Sequence, residues 1–293
     1  MKQTKEIIKK VKKLEISTKQ LAEGLLTGNY HSIFKGQGIE FSETREYLPG
    51  DDIRSIDWNV TARFNHPYVK EFIEERDLYV YFAIDMSGSS SFGNNISKRN
   101  KICEVVASLM FAALKNKDNV GVFLFTDEVE TFIPARKGKK HILKSISKIV
   151  QFKPKSYKTN LKKSLEYISK VIKKRSIIFI LSDFFDKDFI KPLKILKNKH
   201  DIIALRIVDI REKEIPDVGL IELEDEETGE QILVDTSNEE FRNNYSKIMV
   251  NEEQKVTNTF RKNKIDIISI LTDENYVTPL KKFFKIRIRR MSR

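Results

Sequence analysis

Oxygen-bearing side chains follow two apolar runs of this sequence, at the points where strands would end. The segment Asp85–Ser89 (DMSGS) follows the apolar run 78–84, and Asp183 follows Ser182 and the run 176–181. Thr159 stands between them, at the start of an expected helix. Carboxylate and hydroxyl oxygens suit Mg²⁺ or Mn²⁺, whereas zinc and copper prefer imidazole or thiolate ligands. The residue types therefore predict a magnesium or manganese site formed by Asp85, Ser87, Ser89, Thr159 and Asp183.

The spacing within the first of these segments supports the prediction. In an Asp-x-Ser-x-Ser turn, alternate side chains point the same way, and Gly88 makes the tight turn sterically easy. On its own the motif also fits a strand-end aspartate that caps the following helix, with the serines as ordinary loop residues. The later threonine and the second strand-end aspartate, in this order along the chain, favour the metal site.

A doubly wound sheet would bring these side chains together. From residue 78 the sequence alternates short apolar runs with amphipathic segments, which is typical of parallel strands connected by helices. The carboxyl ends of such strands meet at one edge of the sheet, where ligands bind. We predict buried strands at 78–84, 120–125, 176–181, 202–208 and 265–271. We predict helices at 98–114, 140–151, 160–174, 187–199, 238–262 and 277–285.

Two further segments predict antiparallel pairing. The segment 128–133 is expected to pair back against the strand before it, and 219–235 alternates on either side of Thr228-Gly229 as a hairpin does. The predicted fold class is therefore α/β: a doubly wound, mostly parallel sheet flanked by helices, with a hairpin insertion near 219–235 and an N-terminal helical and extended extension.

The N-terminal extension differs from the rest of the chain. Apolar residues near helical spacing predict an amphipathic helix over 1–26, and alternation at 39–48 predicts a strand that Pro49-Gly50 ends. Asp51 or Asp52 is expected to cap a short helical turn. We expect two parts, a segment 1–77 packed on the core and an α/β domain 78–293.

The charge and composition exclude several classes of protein. The chain has 293 residues and a net charge of +12, and its segment 281–293 holds seven basic residues and no acid. No nucleic-acid reader motif accompanies this segment, so we expect a solvated tail, with an anionic membrane surface or an acidic partner as alternatives. The single Cys103 excludes an internal disulfide framework, and no run approaches the roughly 20 apolar residues of a membrane helix. Without a secretory signal, the expected location is cytoplasmic.

Two parts of the sequence resemble known families. The run Asp85–Ser89 with Thr159 and Asp183 resembles the metal-ion-dependent adhesion site of von Willebrand factor A domains. The longer block Gly36–Phe41, Arg45–Tyr47, Pro49–Trp58 and Ala62-Arg63 resembles the hallmark of the bacterial domain of unknown function 58. The resemblance implies a von Willebrand A fold, related to the Rossmann fold, whose metal helps to bind an acidic residue of another protein. It also implies a partnership with MoxR-type AAA+ ATPases.

The block between residues 36 and 63 has two interpretations. Its charged residues are expected to form a partly buried network around Trp58 and Tyr47, with Arg45, Arg54 and Arg63 pairing to Asp51, Asp52 and Asp57. Such a network would either fasten the N-terminal segment to the core or form a surface where a partner docks. We favour the first interpretation.

The predicted function is that of a non-enzymatic, divalent-metal-dependent protein-binding module, which acts with a MoxR-type ATPase in a chaperone-like or assembly role. One alternative is a haloacid-dehalogenase-type phosphatase with Asp85 as nucleophile, although Ser87 stands where such enzymes carry their general acid. Another is a structural scaffold with a vestigial metal site. The sequence contains neither a GxSxG nucleophile elbow nor a GxxxxGK[ST] phosphate loop, so the chain is not itself the ATPase.

Overall fold

The structure is a computed structural model that describes residues 11–12, 14–15, 40–73, 78–91, 98–186, 188–224 and 229–291. Of the helix expected over 1–26, residues 11–12 and 14–15 are described and are helical, and the remainder lies outside the described residues. Residues 36–39 of the N-terminal block also lie outside them.

The chain divides into two compact units. The smaller unit is Phe34–Leu78, and the larger unit comprises the chain on either side of it. The packing of the whole segment 1–77 on the core stays a prediction.

In the smaller unit, strand β1 (Glu40–Glu46) pairs antiparallel with strand β2 (Tyr68–Ile73). A short 3₁₀ turn at Ile53–Ser55 and helix α1 (Trp58–Phe64) connect the two strands. The strand expected at 39–48 is confirmed as β1, whereas β2 was not predicted. Its pairing with β1 supplies the backbone hydrogen bonds that make this short segment a strand.

The predicted charge network of the smaller unit is wrong in part. Arg45 does form a two-pronged ion pair with Asp51, with N–O distances of 2.8 and 2.9 Å. Hydrogen bonding to Arg45 is the main reason why the pKa of Asp51 is lowered to about 2. Asp52 and Asp57 instead accept hydrogen bonds from backbone N–H groups as N-caps. Trp58 is 67% exposed, so no buried network surrounds it.

The larger unit alternates strands and helices as predicted. Its strands are β3 (Tyr79–Asp85), β4 (Asn119–Phe125), β5 (Val129–Arg136), β6 (Ile177–Leu181), β7 (Asp201–Val208), β8 (Leu220–Glu224), β9 (Gln231–Asp235) and β10 (Asp266–Leu271). Its helices are α2 (Lys98–Lys115), α3 (Lys139–Gln151), α4 (Leu161–Val171), α5 (Ile190–Lys199), α6 (Ile210–Lys213), α7 (Glu239–Lys262) and α8 (Val277–Met291). The one-turn helix α6 was not predicted.

Six of these strands form one sheet, in the order β10-β7-β6-β3-β4-β5. Neighbouring strands are parallel except for β5, which pairs antiparallel with β4. Strands β8 and β9 form a separate antiparallel hairpin. From β3 the chain adds β4 and β5 on one side, and then crosses back to add β6, β7 and β10 on the other side. The fold is therefore doubly wound, as predicted.

The continuous apolar runs form the centre of the sheet because both of its faces are covered by helices. Side chains of β3, β4, β6 and β7 are almost all buried, and Phe82 of β3 stacks on Phe179 of β6 with ring centroids 5.3 Å apart. Gly121 of β4 leaves room for a neighbour, because a Cβ there would lie 2.5 Å from the Tyr81 ring. This rigid centre holds the carboxyl ends of β3 and β6 side by side.

The last helix is longer than predicted. The sequence placed its end at residue 285, but α8 continues to Met291 and includes most of the basic segment. Arg287 is 13% exposed and pairs with Asp201 and with Asp266, at 3.1 Å in the second case. These two aspartates begin β7 and β10, so contacts remote in sequence stabilise the extra turns of the helix.

Candidate metal-binding site

Asp85 lies at the carboxyl end of β3, next to the point where the winding direction of the sheet reverses. It is 3% exposed. The turn after it is held by two backbone hydrogen bonds: the Met86 N–H donates to the Phe125 carbonyl at 2.8 Å, and the Gly88 N–H to the Tyr157 carbonyl at 2.9 Å. The turn is therefore fixed to the end of β4 and to the loop before α4.

Both oxygens of the Asp85 carboxylate accept hydrogen bonds from serines. Oδ1 accepts from the Ser87 hydroxyl at 2.6 Å and from the Ser87 N–H at 3.1 Å. Oδ2 accepts from the Ser182 hydroxyl at 2.8 Å. The Ser87 and Ser89 hydroxyls lie 3.4 Å apart, so the three residues of the Asp-x-Ser-x-Ser motif do meet on one side of the turn.

Asp183 reaches the same place from β6. It is half-buried, and with Asp85 and Ser89 it lines a cavity of about 20 Å³. One water molecule requires roughly 10–15 Å³ by this kind of measure, so the cavity has room for a water or for an ion of similar size. The structure thus brings four of the five predicted residues together.

Thr159 is on a neighbouring loop but does not line this cavity. It is half-buried and precedes Asn160, the N-cap of α4, whose N–H donates to the Thr126 carbonyl at 3.1 Å. The loop contacts the Asp85 turn through the Gly88–Tyr157 hydrogen bond. The place of Thr159 in a coordination shell stays a prediction.

The environment of Asp85 opposes its negative charge. Burial raises the pKa of Asp85 to about 7, the nearby charge of Asp183 adds to the rise, and hydrogen bonds from Ser87 and Ser182 work against it. A cation in the cavity would reverse both unfavourable effects, since it would neutralise two carboxylates that otherwise repel each other.

The donors present fit a hard cation. They are two carboxylates and two hydroxyls, all of them oxygen ligands of the kind that Mg²⁺ accepts. Among the described residues no three His, Cys, Asp or Glu side chains stand close enough to hold a metal. A cation at this site would therefore use the serine hydroxyls as well as the two aspartates.

A buried lysine at the site was missed by the sequence analysis. Lys98, the first residue of α2, lines the same cavity, and its side chain is 5% exposed. Its Nζ lies 2.7 Å from Oε1 of Glu212 in α6. Burial raises the pKa of Glu212, although the charge of Lys98 lowers it in part. Nothing in the sequence distinguishes Lys98 from the many exposed lysines of this chain.

A second buried cation lies behind Asp183. Arg206 of β7 is 3% exposed, and its Nη1 lies 3.9 Å from Oε1 of Glu253 in α7. Its guanidinium stacks over the Phe185 ring at 4.7 Å. Burial lowers the pKa of Arg206, and the carboxylates of Glu253 and Asp183 act in the opposite direction.

Ser182 was also missed by the sequence analysis as a residue of the site. Its position beside Asp183, at the end of a predicted strand, could have identified it.

The strand order and the antiparallel edge strand β5 define a doubly wound α/β fold, the class of fold that the resemblance to von Willebrand A domains implied. The family model of the protein of unknown function DUF58 matches residues 43–255. The chain belongs to that family.

Proteins similar in sequence to this chain include one of comparable length. The chain is 29% identical over 283 residues to the uncharacterized protein Rv1480 of Mycobacterium tuberculosis (strain ATCC 25618 / H37Rv). This match covers 94% of this chain and 88% of the relative. It is 28% identical over 100 residues to the uncharacterized protein YeaD of Bacillus subtilis (strain 168), a match that covers 34% of this chain and 23% of that protein.

Similar solved structures include the conserved hypothetical protein BatB from Bacteroides thetaiotaomicron. It has 15% identity and a TM-score of 0.48, over 73% of this chain and 98% of that one. The SpRpn10 VWA domain has 13% identity and a TM-score of 0.41, over 69% and 93% of the two chains. Within the described residues, no helix has the length and apolar character needed to cross a membrane.

Proposed function

We propose that this protein is a non-enzymatic, divalent-metal-dependent protein-binding module. The observation that supports this most is the meeting of Asp85, Ser87, Ser89 and Asp183 at the carboxyl edge of the sheet, with Asp85 and its serine neighbours held rigidly by hydrogen bonds. Family membership supports the same kind of module.

Each residue of the proposed site has a separate role. Asp85 and Asp183 supply the two negative charges that hold a divalent cation, and Ser87 and Ser89 supply neutral oxygens. Ser182 orients the Asp85 carboxylate. A bound Mg²⁺ or Mn²⁺ would offer an open position to a carboxylate from another protein, since two carboxylates leave its preference for six oxygen ligands incompletely met.

The proposed partner is a MoxR-type AAA+ ATPase, and the proposed role is chaperone-like or in assembly. The family resemblance supports this partner, and the acidic residue that completes the metal shell belongs to it in this proposal. An ATP-dependent partner of this kind also supports a cytoplasmic location.

The experiment measures binding between the purified chain and a MoxR-type ATPase of the same organism, in Mg²⁺ and in EDTA. The variant Asp85→Ala removes the central carboxylate, and Glu166→Ala, on the exposed face of α4, removes one negative charge elsewhere. We expect binding in Mg²⁺ for the wild type and for Glu166→Ala, and its loss in EDTA or in Asp85→Ala. If the wild type binds as strongly in EDTA as in Mg²⁺, and Asp85→Ala binds as strongly as the wild type, the metal has no part in the contact.

A scaffold without a metal requirement is the second candidate, and Lys98 favours it. Its buried ammonium group lines the same cavity as the two aspartates, so the site already contains one positive charge. Thermal melts distinguish the two functions. If Mg²⁺ raises the melting midpoint while partner binding is the same with and without metal, the scaffold is correct.

Nothing in the structure favours the phosphatase. The residue two positions after Asp85 is Ser87, whose hydroxyl donates a hydrogen bond to the Asp85 carboxylate and cannot serve as the general acid of such an enzyme. Turnover of a generic aryl phosphate that disappears in Asp85→Asn would be needed to support that activity.

A further inference from the structure

The open edge of the six-stranded sheet forms a groove far from the metal site. Strand β10 is the edge strand and, within the described residues, pairs only with β7. Beside it, the carboxyl-terminal part of α7 and the length of α8 enclose a groove of about 610 Å³. Its walls include the apolar side chains of Ile267, Phe283 and Ile286. Unpaired N–H and C=O groups of an edge strand are able to bind another strand.

The rim of this groove is strongly basic. It contains Arg261, Lys264, Lys282, Arg287 and Arg290, against a single acid, Asp266. Asp266 is already paired, at 3.1 Å with Arg287 and 3.0 Å with Arg290. Three basic residues, Arg261, Lys264 and Lys282, are exposed and form no ion pair in the described part of the chain. The rim repels a second basic edge strand and attracts an acidic one.

The β8–β9 hairpin has the complementary surface. The segment 217–235 contains eight acidic residues and no basic one. Its register pairs Leu220 with Asp235 and Glu222 with Leu233, so these four side chains share one face. Leu220 is 68% and Leu233 is 72% exposed. The two exposed leucines are complementary to the apolar walls of the groove, and the carboxylates around them are complementary to its basic rim.

The hairpin and the groove of one chain are too far apart to contact each other. Thr236, three residues before α7, holds the base of the hairpin through its hydroxyl, which donates to the Gly219 carbonyl at 2.6 Å. The groove lies at the other end of the same helix, near Arg261. Helix α7 has 24 residues, so the two ends are about 36 Å apart.

We propose that the hairpin of one copy of this chain docks on the β10 edge of a second copy, so that the protein self-associates head to tail. The acidic strands extend the sheet past β10, with Leu220 and Leu233 in the groove and the carboxylates on its basic rim. Such a contact uses different surfaces on the two copies, so the assembly grows as a chain or closes as a ring. This proposal does not rest on the metal site.

The test is sedimentation velocity of the full-length chain in EDTA and in Mg²⁺, from low micromolar to near-millimolar concentration and at two salt concentrations. One variant reverses two of the eight acidic charges of the hairpin segment (Glu222→Lys with Glu224→Lys), and another reverses two of the five basic charges of the groove (Lys264→Glu with Lys282→Glu). The control Lys144→Glu with Lys162→Glu makes the same charge change on the exposed faces of α3 and α4.

We expect the wild type and the control to associate as concentration rises, and to do so less at high salt. Each of the two variants should associate at least about tenfold more weakly, since reversed charges across an interface repel. A mixture of the two should associate more strongly than either variant alone, because the intact groove of one variant binds the intact hairpin of the other.

Four results would overturn the proposal. They are a wild type that stays monomeric throughout, association that neither reversal weakens, a mixture that associates no more strongly than either variant alone, and association in Mg²⁺ that is absent in EDTA. The last result would place the contact at the metal site instead. A monomeric wild type whose groove binds a synthetic peptide of residues 217–235 would show an acidic strand from another protein as the occupant.

Discussion

At the scale of single residues, Asp85 is the most constrained group of the candidate site. It combines burial, a neighbouring carboxylate and three hydrogen bonds from two serines. Burial and Asp183 disfavour the charged form that metal binding needs, so the metal-free protein is destabilised there. Residues that lower stability in the absence of a ligand are common at binding sites.

The pH dependence of stability tests this conclusion. The pKa of Asp85 is raised from 3.8 to about 7, so between these values the folded state holds a proton that the unfolded state has lost. The free energy of unfolding of the metal-free protein therefore falls as pH rises through this window. Asp85→Asn does not ionise and should melt at a higher temperature than the wild type in EDTA near pH 8, with a smaller difference near pH 4.

The same melts in Mg²⁺ provide the control. Mg²⁺ should raise the melting midpoint of the wild type, more strongly at pH 8 than at pH 5 because protons compete for Asp85, and should leave Asp85→Asn nearly unchanged. If Asp85→Asn melts below the wild type in EDTA at pH 8, the carboxylate contributes favourably without metal and the argument is wrong.

The buried ion pair between Lys98 and Glu212 gives a second residue-scale prediction. The side chains are 5% and 17% exposed, so removal of one partner leaves a buried charge uncompensated. Lys98→Met should lower the free energy of unfolding by about 3 kcal/mol in urea titrations. The double variant Lys98→Met with Glu212→Gln should recover part of that loss. A double variant as unstable as the sum of the two single variants would show that the groups do not interact.

At the scale of elements, the sequence predicts the centre of the sheet well because the strands there are buried on both faces. Continuous apolar runs gave β3, β4, β6, β7 and β10 to within about two residues, and the order of loops after them placed Asp85 and Asp183 on one edge. Helices α2, α3, α4, α5 and α7 also lie close to their predicted positions. The local sequence of each of these elements is therefore sufficient to predict it.

Elements and residues that depend on distant partners were missed. Strand β2 exists through its pairing with β1, and the last turns of α8 depend on Asp201 and Asp266. At the site, Lys98 and Glu212 come from α2 and α6 and meet only in the folded chain. Patterns among neighbouring residues in the sequence do not indicate these contacts between distant residues.

The end of α8 tests this dependence on distant contacts. Arg287→Met should lower the free energy of unfolding by about 1–2 kcal/mol and reduce the hydrogen-exchange protection of amides after residue 285. Arg289→Met, an exposed position in the same turn, serves as the control and should change neither quantity. Unchanged protection in Arg287→Met would show that the helix is stable without its ion pairs.

At the scale of the whole molecule, the two surfaces proposed for binding lie at different places on the larger unit. The metal site is at the carboxyl ends of β3 and β6, in the middle of the sheet, and the groove follows the outer edge of β10. The acidic hairpin precedes α7, and the groove lies near the far end of that helix. Separate surfaces of this kind allow a chain to associate with itself and to bind a partner at the same time.

This separation predicts independent loss of the two activities. Asp85→Ala should abolish Mg²⁺-dependent binding of the ATPase and leave the sedimentation of the chain unchanged, because no contact of the groove or the hairpin involves Asp85. The groove variant Lys264→Glu with Lys282→Glu should remain monomeric and bind the ATPase with unchanged affinity for a single copy. It should also bind less strongly to an immobilised ATPase ring, since a chain of copies engages several subunits at once and a monomer only one. If either variant loses both activities in binding and sedimentation experiments while circular dichroism shows it to be folded, the two surfaces are coupled and one proposed contact is misplaced.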